Sequence, residues 1–117
     1  MAYALIIVEP VGQRQARTET EGRDLYDRML RFSEDLKGRG LLTIAQSLKS
    51  ESDGARVSLR DGQSTVVDGP FAETKEMIGG FLLITCESRA EAIAVAQQCP
   101  AAQWATVEVR ELGPCFT

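Results

Sequence analysis

At 117 residues, with 44% hydrophobic and 26% charged side chains, the chain has the composition of one ordinary globular domain, 1–117. Its net charge is −4, with seven basic and seven acidic side chains in residues 1–40 and six against ten in 41–117, which excludes a row of phosphates as partner; no nucleic acid is expected. No apolar run approaches the ~20 residues of a membrane span, and Met1 to Val8 lacks the pattern of a secretory leader, so a cytoplasmic chain without membrane contact is expected.

Tyr3 to Glu9 is β-branched and apolar and reads as a buried first strand. Pro10-Val11-Gly12 opens a polar loop. A helix over 21–38 follows, capped by Thr20 or, one turn earlier, by a Thr18–Glu21 capping box. Leu25, Met29, Phe32 and Leu36 form its apolar stripe. The arginines at 14, 17, 23, 28, 31 and 39 alternate with acids, the pattern of a solvated helix face. Gly38 and Gly40 stop the helix, and Leu41 to Leu48 is a second strand.

Residues 55–60 and 64–68 form a hairpin about Asp61-Gly62. It delivers the chain to Asp68-Gly69-Pro70-Phe71. Pro70 suits the first position of a helical turn, Phe71 can anchor that turn in the core, and Gly79-Gly80 would end it before a strand at 81–86. Ser88 to Glu91 is a capping box that starts a helix to Cys99, and Trp104 to Leu112 alternates as a last strand. Two β-α-β units around a hairpin predict an α+β ferredoxin-like sandwich with an extra β-hairpin. Its helix-free sheet face is apolar, and a homodimer packed sheet to sheet would cover it.

The chain has no histidine, which removes Ser-His-Asp and Cys-His nucleophile systems and histidine-ligated zinc. No phosphate-cradling glycine motif occurs. Three cysteines without paired spacing argue against a disulfide framework. No metal and no cofactor are expected. What remains is Asp68, a carboxylate at a strand end beside a rigid turn. It can serve as a general acid or base if desolvated, or it can cap the turn's own amides. Gly69, Pro70, Phe71 and Lys75 are its candidate ligand-binding neighbours. Glu73 and Lys75 read equally as a surface ion pair, and Phe71 and Trp104 as core.

D-G-P-F-A-E-T-K-E at 68–76, with G-G-F-L-L-I at 79–84 and V-E-V-R at 107–110, resembles the DGPF branch of the YCII-related proteins over nearly the whole chain. The resemblance implies a dimeric α+β barrel. It also implies a histidine–aspartate pair in the wider group, of which only the aspartate, Asp68, has a counterpart here. A link to extracytoplasmic-function sigma factors is implied by resemblance alone. Three readings result: a dimer that binds a small metabolite near Asp68 at or near the dimer interface; a metal-independent lyase or isomerase with Asp68 as acid or base; or a dimer in which the motif is structural.

Overall fold

A computed structural model of the chain describes residues 1–116. Six strands and two helices follow one another as β1 (Ala2–Pro10), α1 (Glu19–Gly38), β2 (Leu42–Ser47), β3 (Ala55–Arg60), β4 (Gln63–Asp68), β5 (Glu76–Thr85), α2 (Arg89–Gln98) and β6 (Thr106–Glu111). The main sheet has four strands in the order β2-β5-β1-β6, every neighbouring pair antiparallel. That is the ferredoxin-like order, and β3–β4 is a separate two-stranded ribbon inserted between β2 and β5.

Strand alternation sets the layers. Tyr3, Leu5 and Ile7 of β1 point to one face and are buried with Leu82 and Ile84 of β5. Phe32 and Leu36 of α1 and Ala92, Val95 and Ala96 of α2 close over the same face, so both helices lie on one side. Full burial of each larger side chain stabilises by roughly 1.5–3 kcal/mol. The opposite face carries Ile6, Val8, Ile44, Ile78, Phe81 and Leu83, and no helix covers it among the described residues; Ile44 and Ile78 are 40% and 51% exposed.

Local signals explain the element ends. Thr18, not Thr20, caps α1: its hydroxyl accepts from the Glu21 amide at 3.1 Å and Glu21 accepts from the Thr18 amide at 3.0 Å. Those bonds to Thr18 hold the Glu21 carboxyl below the usual carboxylate range. Ser88 caps α2, accepting from the Glu91 amide, while the Glu91 carboxylate reaches back to the Glu87 amide. The β3–β4 turn places Asp61 at φ 52° and Gly62 at φ 76°, the left-handed pair that matches strand twist in a two-residue hairpin. On α1, Arg23 pairs with Glu19 and Arg39 with Asp35, as the charge alternation predicts. β6 starts later than Trp104, because Pro100–Gln103 forms a single 3-10 turn.

One stretch departs from expectation. No helical turn follows Pro70, and Gly79-Gly80 does not precede β5 but lies inside it. A single turn hydrogen bond, Thr74 N–H to the Phe71 carbonyl at 3.0 Å, is all that forms there. The chain then enters β5 at Glu76, opposite Pro10. No helix is long and apolar enough to cross a membrane among the described residues.

Candidate functional site

The site is built where β1 ends. Glu9 continues the inward parity of Tyr3, Leu5 and Ile7, which would press a carboxylate into the helix-covered layer. The sheet makes room by a β-bulge: Ile7 pairs with Gly80 and Val8 with Ile78, leaving Gly79 as the extra residue. A Cβ on Gly79 would collide with Glu9 Oε1 and stand 2.8 Å from Arg14 Nη2, so only glycine admits the two side chains there. Gly80 is equally confined, its Cβ direction meeting the Gln46 carbonyl at 2.8 Å.

Glu9 is 4% exposed and its charge is met by Arg14, whose Nε donates to Oε1 at 2.7 Å. Arg14 also donates from Nη1 to the Leu48 carbonyl at 2.8 Å and from Nη2 to the Gly79 carbonyl at 3.2 Å. Arg14 is thus not part of the solvated helix face; it closes the end of β2 onto β5. Charge-assisted bonds of this kind are about twice as strong as neutral ones. The second carboxylate oxygen of Glu9, Oε2, has no hydrogen-bond partner within the described chain and is not sealed off from solvent.

Above this pair lies a cleft of about 500 Å³ between α1 and the sheet, within the usual range for small-molecule sites. It is lined by Leu25, Tyr26, Met29 and Leu30 of α1 and by Arg17, Leu48, Lys49 and Trp104. Trp104 is half-buried and packs against the core, as expected, and the Arg28 guanidinium also stacks on its ring at 5.2 Å.

The D-G-P-F residues lie elsewhere. Asp68 ends β4 opposite Ala55 and is exposed; its side chain makes no hydrogen bond or ion pair among the described residues, so it does not cap the turn. Glu51 does: its Oε2 accepts from the Phe71 amide at 2.8 Å. Gly69 donates to the Gly54 carbonyl at 2.8 Å, and a Cβ there would collide with the Glu51 carbonyl, which explains the glycine. The Gly69–Pro70 peptide is cis. Phe71 is half-buried outside the core; Arg56 stacks on it at 3.9 Å and reaches Thr74 Oγ1 at 3.1 Å. The Lys75 carbonyl accepts from Val11 N–H at 2.9 Å, while Lys75 and Glu73 form no ion pair among the described residues. None of Asp68, Gly69, Pro70, Phe71 and Lys75 lines the cleft of a single chain. The motif clamps the base of the β3–β4 ribbon.

Two groups were missed by residue type and motif. Glu51 offers no local signal, since its partner lies twenty residues away. Glu9 does offer one, the parity of β1. Cys86 and Cys99 are buried, and burial pushes their thiols above the usual value, so neither is an activated nucleophile; Cys115 is exposed and lies outside the cleft. No group of three or more Cys, Asp or Glu able to hold a metal occurs among the described residues.

Comparison with known proteins agrees with this architecture. A solved structure, the 5-chloro-2-hydroxyhydroquinone dehydrochlorinase (TftG) from Burkholderia phenoliruptrix AC1100 in complex with 2,5-dihydroxybenzoquinone, superposes with a TM-score of 0.56. The superposition covers 97% of this chain and 94% of that one at 19% identity, a likeness of fold. Uncharacterized protein R00369 of Rhizobium meliloti (strain 1021) is 49% identical over 53 residues, 44% of this chain and 43% of that protein, so the match spans less than half of that relative's length. The family model of the YCII-related domain matches residues 1–115, and the chain belongs to that family.

Proposed function

We propose that the chain is a homodimer that binds a small organic molecule in the cleft between α1 and the sheet, its polar end toward Glu9 and Arg14. The observation that carries this reading is Glu9: almost fully buried, paired through Oε1, without a hydrogen-bond partner for Oε2 among the described residues, and part of the lining of a largely apolar cleft. An apolar residue in that place would stabilise the fold at least as well as a buried ion pair, so the pair fits a recognition role better than a structural one. Leu25, Leu30 and Trp104 suit an apolar or aromatic body. Oε2 suits a hydroxyl donor, and Arg17 and Lys49 at the margin suit an acidic substituent. The structural neighbour holds 2,5-dihydroxybenzoquinone, which makes hydroxylated aromatics the first compounds to try.

The test is a thermal-shift screen of hydroxylated aromatic compounds and small aromatic acids on wild type and Glu9→Gln. A ligand at 100 times its Kd stabilises by about 2.7 kcal/mol, on the order of 10 °C for a domain of this size. That rise should vanish in Glu9→Gln. Equal shifts in both proteins, or no shift in wild type, would remove the cleft as the site.

A second reading is a metal-independent lyase or isomerase. The free Oε2 of Glu9 favours it, because a carboxylate oxygen open to a cleft can accept a proton from a bound substrate. In that reading Asp68 takes part only through a second copy of the chain, since it does not line the cleft of its own. Turnover of a compound found in the screen, abolished in Glu9→Gln with binding retained, would select it.

A further inference from the structure

A second cavity, of about 440 Å³, opens near the other end of β1, at the N-terminus of α2, and shares no lining residue with the cleft. Tyr3 begins the inward row of β1. Glu111 stands opposite it on β6 and therefore on the same face, and Glu87, the cap residue Ser88 and Arg89 join them in the lining. Tyr3 is 1% exposed, and its hydroxyl is buried without a hydrogen-bond partner among the described residues. An unpaired buried hydroxyl costs folding free energy, and a phenylalanine would fill the same space without that cost. Desolvation first, then the Glu111 carboxylate, push the Tyr3 phenol above its usual value, while Arg89 draws it down. The hydroxyl is therefore neutral and within electrostatic reach of two residues that line the cavity.

The charged side chains around that hydroxyl are unpaired. Glu87, Arg89 and Glu111 are exposed, and none forms a side-chain hydrogen bond or ion pair among the described residues, although both signs of charge line one cavity. The first turn of α2 adds the amides of Arg89 and Ala90, which have no acceptor inside the helix; the Glu91 amide is taken by Ser88 Oγ at 3.1 Å. That helix end and Arg89 favour an anionic group, whereas Glu87 and Glu111 favour a cationic one. We infer that this cavity is a second binding site, for a small α-amino acid in its zwitterionic form. Arg89, the α2 amides and the Tyr3 hydroxyl hold its carboxylate, and Glu111 holds its ammonium group. A simple anion would meet two carboxylates, and a simple cation would meet a guanidinium and the positive end of a helix; a molecule carrying both charges answers both. The volume is within the range of small-molecule sites.

The experiment is isothermal titration calorimetry with L-alanine, acetate and methylamine, the last two each carrying one of the two charges. L-Alanine should bind with a dissociation constant of about 1 mM or tighter, and acetate and methylamine at least ~10-fold more weakly. Arg89→Gln and Glu111→Gln, both at exposed positions that leave the fold intact, should each weaken L-alanine at least ~10-fold. Tyr3→Phe should weaken it as well, yet melt no lower than wild type, because it removes a hydroxyl without a partner. Acetate binding as tightly as L-alanine would overturn the zwitterion, and L-alanine binding equally to all three variants would place it elsewhere on the molecule. No heat from L-alanine at about 10 mM would overturn the site and leave the Tyr3 hydroxyl to an ordered water. A Tyr3→Phe variant that melts below wild type would show that the hydroxyl has a partner in the folded chain, which refutes its part in binding.

Discussion

Two places in this molecule set a glutamate against a glycine, and they end differently. At the base of the β3–β4 ribbon, Glu51 turns its carboxylate onto the Phe71 amide, and Gly69 is needed because its Cβ direction meets the Glu51 carbonyl. At the end of β1, Glu9 gives one oxygen to Arg14 and keeps the other, and Gly79 is needed because the ion pair fills its Cβ direction. Each carboxylate has one oxygen in a hydrogen bond; what differs is the setting, since Glu51 is only partly buried and is not among the cleft residues, whereas Glu9 is almost fully buried and lines the cleft. The second holds acceptor capacity at the floor of a cleft. Within one chain the most recognisable sequence motif forms a joint, and the less conspicuous Glu9 and Arg14 line the cleft proposed as the site.

The sharpest way to break this contrast is to strand a charge. Arg14→Met leaves Glu9 buried and unpaired, which should cost about 3–5 kcal/mol in denaturant unfolding. Adding Glu9→Leu should recover most of the loss, since an apolar pair of similar volume replaces the ions. If the double variant is no more stable than the single one, Glu9 and Arg14 are not energetically coupled.

Next in size are the glycines. Gly69→Ala and Gly79→Ala should each destabilise by about 1–3 kcal/mol through overpacking. They should differ in binding: Gly79→Ala, which pushes Glu9 and Arg14 aside, is expected to abolish the thermal shift of a cleft ligand, whereas Gly69→Ala retains it. Equal losses would mean that the two regions are one site. The smallest effect is expected from Asp68→Asn. With an exposed side chain and no partner, the change should stay within about 0.5 kcal/mol, and a larger drop in monomer stability would restore Asp68 as a structural cap.

Much of the fold was legible because its signals are local. The Thr18–Glu21 box, the Ser88 cap, the Asp61-Gly62 turn and the alternation of β1 each act within a few residues, and each appears at its expected place. The start of β5 was not legible. Gly79-Gly80 reads as a breaker by propensity, yet the pairing of Met77 with Glu9 and Ile78 with Val8 carries the strand through it by a bulge. The site was half legible. Asp68 drew attention because of its neighbours in sequence, while the Glu51–Phe71 bond joins residues without any local pattern. Glu9 is the exception, since counting faces along β1 turns it inward.

The bulge has a consequence for how such chains can diverge. A side chain at position 79 and the ion pair of positions 9 and 14 claim the same space, so a larger residue at 79 requires the pair to be gone. In a set of relatives a larger residue at 79 should occur only where both charges are absent, while glycine occurs with or without them. A larger residue beside an intact pair would have to cross a destabilised step, and its rarity among homologues would trace the outline of the cleft floor from sequences alone.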